Sequence, residues 1–422
     1  MSTQLSSPKN VTGLALHRST VARSSPGNQR RYANSRLARR PAAARVGIVG
    51  TGFIATGLFT LMRSFSDMAV TRVMTRRDVL SVRGMDAGVL TSSLDDLLEH
   101  SDIIVECSGD IIHTTHVVDA AMNAGIPVVT MGAEFHVTVG SWFSNRGILT
   151  EAEGDQPGSL AALHEEAVGM GFRPLVYGNI KGFLNHHPED ADMEYWARRN
   201  GISRTQVTSF TDGTKLQIEQ ALIANGLNAA VAQRGLIGLA NSSLDDSAAV
   251  LGARAREVGG PISDYLLNPS LPAGVFIVAE HPSASPEVLR YLKLGNGPDY
   301  TLLRPYHLCH LEMPRTIRRV LSGQGALLNN GERPHATVVA VDKKDMPAGT
   351  LIEHAIGGSE LRGEAASIIS EPDAPAIGIL NGVRLRHSVL RGQTLRLSDV
   401  DIPDSLAKTA WHAVRERLLV PA

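Results

Sequence analysis

The sequence predicts an α/β protein: a doubly wound parallel sheet, a second α/β (α+β) domain, and a small β-rich C-terminal module. Three observations carry this. Continuous apolar runs alternate with helical patterns over residues 45–140. Glycines follow the first of these runs at once, and past residue 331 the pattern shifts to short strands punctuated by Gly, Asp and Pro. At 422 residues the chain exceeds the size at which a single core stops growing, and 43% hydrophobic residues are enough for several cores.

In chain order, RVGIVG (45–50) reads as a strand and FIATGLFTLMRSF as a helix. AVTRVMTR (69–76) is a strand, SLDDLLEH (93–100) a helix and DIIVECSG (102–109) a strand. HTTHVVDAAMNAG (113–125) is helical, closed by Gly125, and IPVVTMG (126–132) is a further strand. Then come the turn and helix GDQPGSLAALHEEAVGMG (154–171), the strand RPLVYGNIKG (173–182) and a long helical segment over 216–238. The resulting division is a basic, disordered extension at 1–35, a dinucleotide-binding domain at 36–140 and a second domain at 141–330. A β module with a terminal helix completes it at 331–422. An Arg/Ala-rich stretch at 36–44 reads as helical.

The formal net charge of −1 hides an asymmetry. Nine of the 41 basic residues lie in residues 1–45, which hold no Asp or Glu, leaving 32 basic against 42 acidic residues, about −10, in the rest. A mildly acidic body offers no footprint for nucleic acid. The acid-free extension also fits the composition of an organellar transit peptide. No apolar run approaches the roughly 20 residues of a bilayer span, so no membrane partner is expected. Cys107 and Cys309 lie in apolar runs and read as reduced core residues of a cytoplasmic protein. His307, Cys309 and His310 lack a partner pair at zinc spacing, so no metal is expected.

Gly50, Gly52, Phe53, Ile54 and Ala55 fit G-x-G-x-x-A between a strand and a helix, the context of a Rossmann dinucleotide fingerprint. Where an acidic residue would meet a ribose 2′-hydroxyl, the chain offers Thr75, Arg76 and Arg77. This favours NADP(H), with NAD(H) still possible. Ser108 and Gly109, at the carboxyl end of a strand, are placed to line the nicotinamide side. Glu134 and His136 follow the next strand toward the same edge, as proton-shuttle or core-satisfying groups. Asn185-His186-His187 and the LLRPYHL segment, with Arg304 and His307, are lesser candidates.

The ordered set GTGFIA, ECSG, TMGAEFHVTVG, AEGDQPG, VYGNIKG, FTDGTKLQIEQALIANG, LLRPYHL and PAGTLIE…VLRGQTL is distinctive. It resembles the homoserine-dehydrogenase-like NAD(P)-dependent oxidoreductases that carry a SAF (antifreeze-like) domain, over nearly all of residues 36–403. The resemblance implies a Rossmann domain, an α/β substrate and oligomerisation domain, a SAF domain and a homo-oligomer. It does not imply homoserine, whose usual substrate loop and regulatory tail are missing. It points to reduction of a small polar aldehyde, ketone or imine, or oxidation of the matching alcohol.

Within it, Lys181 and Lys215 match in role the lysines that serve the substrate oxygen, with Asp212 and Glu219 positioning them. The helix dipole is expected to lower the Lys215 pKa toward proton donation. A plainer reading makes Thr214 and Gln217 a capping box and Lys215–Glu219 a solvated i,i+4 pair. Two rival functions also stand. One is a lysine that forms a Schiff base reduced by nicotinamide; the other is a nucleotide-binding regulatory protein without turnover.

Overall fold

The computed structural model describes residues 43–419, so the basic extension and the Arg/Ala-rich stretch up to residue 42 lie outside the described residues. The first sheet has six parallel strands: β1 (Ala44–Val49), β2 (Met68–Met74), β3 (Leu90–Thr91), β4 (Ile103–Glu106), β5 (Val128–Thr130) and β6 (Leu149–Glu151). Their order is β3-β2-β1-β4-β5-β6. Val46, Ile48, Ile103, Ile104, Val105, Val128 and Val129 are wholly buried, as the unbroken apolar runs require of strands covered on both faces.

The connections are α1 (Phe53–Met62), α2 (Leu94–Glu99), α3 (Ile111–Asn123) and α4 (Ala133–Val139). Ser93 caps α2 by accepting from Asp96 N, and Asp110 caps α3 by accepting from His113 N. The strand order reverses between β1 and β4, which opens a crevice at the carboxyl edge.

Next come α5 (Gln156–Gly169), β7 (Arg173–Lys181), α6 (Asp190–Asn200), α7 (Arg204–Thr211), α8 (Thr214–Gly226), β8 (Leu239–Ala240) and α9 (Leu244–Val258). β9 (Ile262–Leu267), β10 (Val275–Glu280), α10 (Pro286–Tyr291) and β11 (Tyr300–Arg304) follow. The second sheet runs β11-β10-β7-β9-β8, with β7 parallel to β9 and antiparallel to β10. Successive β10 side chains alternate between cores. Val275, Ile277 and Ala279 meet α5 and α8, whereas Phe276 and Val278 meet α9.

The helix expected over 216–238 ends at Gly226. Gly226 backs onto Leu328 and Asn329, and Asn228 adopts a left-handed φ of 53°, which asparagine tolerates. From there the chain turns to bridge Ala230 to Ile262.

α11 (Met313–Leu321) returns to the first sheet, where Met313, Ile317 and Val320 pack with Ile48, Leu58 and Phe59. The final module holds β12 (Ala336–Asp342), β13 (Leu351–Ile352), β14 (Leu361–Ser367), β15 (Val383–Leu385), β16 (Val400–Asp401) and α12 (Leu406–Leu419). β12 and β14 pair antiparallel and lie against α8. Ala407, Ala410 and Trp411 of α12 share a core with Val117, Val118 and Phe135. α8 is thus clamped between the second sheet and the C-terminal module. Among the described residues no helix is long and apolar enough to cross a membrane.

Candidate active site

At the β1–α1 turn, Gly50 has φ +109°, and a Cβ there would lie 3.0 Å from the Cys107 carbonyl, so only glycine fits. Gly52 is the N-cap of α1, with no side-chain cap and nothing within 4 Å of where a Cβ would stand. The first-turn N–H groups, from Phe53 onward, therefore face open space without an intrahelical acceptor, which suits a pyrophosphate. Phe53 is exposed, Ile54 half-buried and Ala55 fully buried against the sheet. Thr75 is buried at the end of β2 and its hydroxyl lies 3.4 Å from that of Thr51. Arg76 and Arg77 are exposed beside it, with Arg76 paired to Asp110 at 2.6 Å. Ser108 N donates to Glu106 Oε1 at 2.8 Å, and Gly109 turns the chain into α3. These groups fit a nicotinamide dinucleotide laid across the switch point.

Further along the same edge, four elements deliver charge to one place. Gly132, after β5, starts α4 and brings in Glu134. β6 ends at Glu151 and leads through Gly154 to Asp155, the N-cap of α5. β7 ends at Lys181, and α8 carries Lys215 and Glu219 one turn apart. Lys215 Nζ is 3.1 Å from Glu134 Oε1, 3.2 Å from Glu134 Oε2 and 3.1 Å from Asp155 Oδ2, and the residue is only 7% exposed. The Asp155 contact is an ion pair at 3.1 Å.

Lys181 Nζ donates to Glu219 Oε2 at 3.2 Å, and Asn179 Nδ2 donates to the same oxygen at 2.9 Å. With its amide oriented by the network, Gln156 donates to Glu219 Oε1 at 3.2 Å and accepts from Lys181 at 2.9 Å.

The titration of these groups follows from burial against charge. Desolvation disfavours the Lys215 ammonium. Asp155, Glu134, Glu219 and Glu151 outweigh it and hold the pKa well above the ordinary lysine value. Desolvation would raise Asp155, but Lys215 and His307 bring it below the usual carboxylate range. Burial raises Glu219 against the pull of Lys181, and burial together with Asp155 raises Glu151 strongly. Burial also pushes His136 down to about 3. The 3.5 Å His136–Glu151 contact is therefore a neutral one, with Thr130 Oγ1 2.9 Å from the ring and donating to Glu151 at 2.8 Å.

Several expectations change. Asp212 positions neither lysine. Its carboxylate pairs with Lys343 of the C-terminal module at 2.6 Å and accepts from Thr214 N at 2.8 Å, because the loop before α8 turns away from the crevice. Thr214 and Gln217 form no capping box. Gly213 is the N-cap, while Thr214 Oγ1 accepts from Gly363 N at 2.9 Å and Gln217 Oε1 from Ala365 N at 2.7 Å. Lys215 and Glu219 are not a solvated pair, since both are buried and each has other partners. The Lys215 pKa moves up rather than down, since full carboxylates at 3.1 Å outweigh a half-charge helix dipole.

Arg304 is buried and paired with Glu153 at 3.4 Å. His186 and His187 are both exposed in the loop after β7. Glu151, Asp155, Gln156 and Asn179 escaped the sequence reading. All four lie in or just after strands whose carboxyl ends face the crevice, and that rule could have found them. Among the described residues no group of His, Cys, Asp and Glu could hold a metal ion.

Two family models match the chain: the catalytic domain of oxidoreductase DRL over residues 154–313, and the NAD-binding domain of homoserine dehydrogenase over 50–137. The first begins at the Gly154–Asp155 turn and spans both lysines; the second spans the glycine turn and Glu134. No curated protein matches the chain. Solved structures with a likeness include a probable dehydrogenase from Thermotoga maritima, at 15% identity and TM-score 0.39 over 67% of this chain and 90% of that one. UDP-N-acetylglucosamine 3-dehydrogenase GnnA from Acidithiobacillus ferrooxidans scores 0.41 at 11% identity, over 68% and 92%. Homoserine dehydrogenase from S. aureus scores 0.28 at 13%, over 43% and 50%. Likeness at this level says nothing of substrate.

Proposed function

We propose that this chain, an NAD(P)-dependent oxidoreductase, reduces the carbonyl or imine of a small polar molecule, or oxidises the matching alcohol, in the crevice between the two sheets. The observation that carries this is the convergence of Lys215 and Lys181 with Glu134, Asp155 and Glu219 at the carboxyl edge of β5 and β6. Gly50, Gly52 and the N-terminus of α1 would hold the dinucleotide, which supplies or takes the hydride. Thr75, Arg76 and Arg77 at the end of β2 support a preference for NADP(H).

The chain's own part is electrostatic. Charge that builds on the substrate oxygen meets a lysine kept as ammonium, and a fixed charge of this kind contributes about 10²–10³ in rate. The carboxylates that surround Lys215 hold its side chain in one place, so little reorganisation is needed when that charge develops. The second cation, Lys181, is oriented by Glu219, Gln156 and Asn179. A Schiff base on Lys215 is disfavoured, because the neutral amine it needs is suppressed by the carboxylates. We also propose that the C-terminal module is SAF-like and acts as a brace, since its β14 N–H groups bind the first turns of the helix that carries Lys215.

The test is NADPH oxidation across a panel of small hydroxylated aldehydes and ketones. Lys215→Met and Lys181→Met are compared with the wild type, alongside fluorescence titration of NADPH. Turnover by the wild type, its loss in the variants and unchanged NADPH binding are expected. Tight NADPH binding with no turnover on any carbonyl would favour the regulatory reading, and a covalent mass adduct on Lys181 the Schiff-base one.

A further inference from the structure

Resting on that reading, we propose that Glu151 is a positioning residue: by holding the start of α4 it keeps Glu134 against Lys215. The charged cluster alone does not explain why α4 brings Glu134 to one fixed place. α4 has seven residues, too few to hold a helix unaided, and its N-cap, Gly132, has no side chain to cap with. Glu134 stands in the first turn and leaves 22% of its side chain in solvent, so the cage does not enclose it on every side.

Glu151 supplies what the helix lacks. At the end of β6 it is wholly buried, and its Oε2 accepts from Gly132 N at 3.2 Å and from Thr130 Oγ1 at 2.8 Å. In a capping box, a side chain three residues into the helix accepts from the N-cap N–H. Here a carboxyl from the neighbouring strand takes that part.

The far end of the same turn is tied in as well. Burial keeps His136 neutral, with one ring N–H. Since the single Thr130 hydroxyl proton is directed to Glu151, the hydrogen-bond pattern assigns His136 Nε2 as the donor to Thr130 Oγ1 at 2.9 Å. Nδ1 is then the ring nitrogen without a partner. Gly132 and His136 are thus both fastened to one carboxyl oxygen, the first directly and the second through Thr130. Glu134 lies midway between them in the chain, and its Oε1 and Oε2 reach Lys215 Nζ at 3.1 and 3.2 Å.

This arrangement asks for reach rather than charge at residue 151. Burial, reinforced by Asp155, raises the Glu151 pKa well above the ordinary carboxylate value, so an ionised group is disfavoured there. A neutral oxygen at the same distance can accept both bonds. A shorter side chain does not span to Gly132, and α4 then drifts with Glu134, loosening the ammonium that meets the substrate oxygen. Displacing a site group by about 1 Å costs up to about 10²-fold in rate.

Two substitutions separate reach from charge. Glu151→Asp keeps the charge and gives up one methylene of reach, whereas Glu151→Gln keeps the reach and gives up the charge. With NADPH and the same carbonyl panel, Glu151→Asp is expected to lower kcat about 10–100-fold, and the conservative Glu151→Gln to recover it to within about threefold of the wild type. NADPH affinity stays unchanged in both. On a Glu134→Gln background, Glu151→Asp should cost less than about threefold, because the residue it acts through is already altered. Crystal structures of the two variants supply a readout that needs no turnover: the 3.1 Å Glu134–Lys215 contact is kept in Glu151→Gln and opened in Glu151→Asp.

A wild type inactive on every carbonyl sinks the proposed function, and the crystal structures still decide Glu151. Glu151→Asp within about threefold of wild-type kcat, Glu151→Gln more than about tenfold below it, or a loss that repeats in full on the Glu134→Gln background overturns the assignment. So does an unmoved Glu134–Lys215 contact in Glu151→Asp, since a merely structural residue would lower stability and leave that contact in place.

Discussion

Replacing Lys215 by methionine keeps the length and apolar stem of the side chain and removes only its charge. The residue is 7% exposed and makes two ion-pair contacts at 3.1 Å, to Glu134 and Asp155. At an effective permittivity of ~20, each such pair is worth about 5 kcal/mol before desolvation, and losing one partner of a buried pair costs about 3–5 kcal/mol net. Glu134 keeps 22% of its side chain in solvent and burial raises the Glu151 pKa, so part of the charge left behind is already relieved. The expected loss at pH 8 is about 2–4 kcal/mol.

The deficit depends on pH. In the wild type the folded pKa of Asp155 is depressed, so its contribution is present above the unfolded value and lost as pH falls through the folded one. Without the ammonium, burial raises that pKa instead, and protonation relieves the orphaned carboxylates as pH drops. Urea unfolding of both proteins at pH 8 and pH 5, followed by circular dichroism, should show a large difference at pH 8 that shrinks at pH 5. A difference below about 0.5 kcal/mol at pH 8, or one equal at both values, would refute the charged cage around Lys215.

Other outcomes follow from single contacts. Gly50→Ala forces a Cβ against the Cys107 carbonyl at φ +109°. It should cost about 1–3 kcal/mol and abolish NADPH binding, measured by unfolding and by fluorescence titration. Lys343→Met strands the buried Asp212 carboxylate and should lower stability by about 3–5 kcal/mol, with NADPH affinity unchanged by the same titration. Asp342 is 1% exposed, has no partner for either oxygen, and burial pushes its pKa from 3.8 to about 7. A raised carboxylate pKa means that the folded state holds the extra proton, so stability falls as pH rises from about 4 to about 7. Asp342→Asn should remove that slope and gain about 2–4 kcal/mol at pH 8 relative to the wild type, read from thermal or urea unfolding across pH.

The parallel sheet was legible because its strands are buried on both faces, and RVGIVG and DIIVECSG show this as unbroken apolar runs. The glycine turn was legible because backbone geometry limits what can stand at residue 50. Lys215 stood out because a cation in a first helical turn goes against the dipole, and the structure supplies the missing reason in Glu134 and Asp155, 81 and 60 residues away in sequence. The local readings around it failed for a physical cause. Thr214, Gln217 and Asp212 have the right types for a cap and a positioning acid, but tertiary partners at Gly363, Ala365 and Lys343 claim them. Asp155 and Asn179 were hidden because one looks like a turn residue and the other like the end of a strand, and only folding brings both to the same edge.

The most direct measurement is a crystal structure of the enzyme with NADP(H) bound. The account predicts pyrophosphate on the N-terminus of α1 and the nicotinamide ring over the ends of β4 and β5, with Lys215 and Lys181 both facing the space beside its C4. A nicotinamide ring separated from both ammonium groups by intervening protein would contradict it.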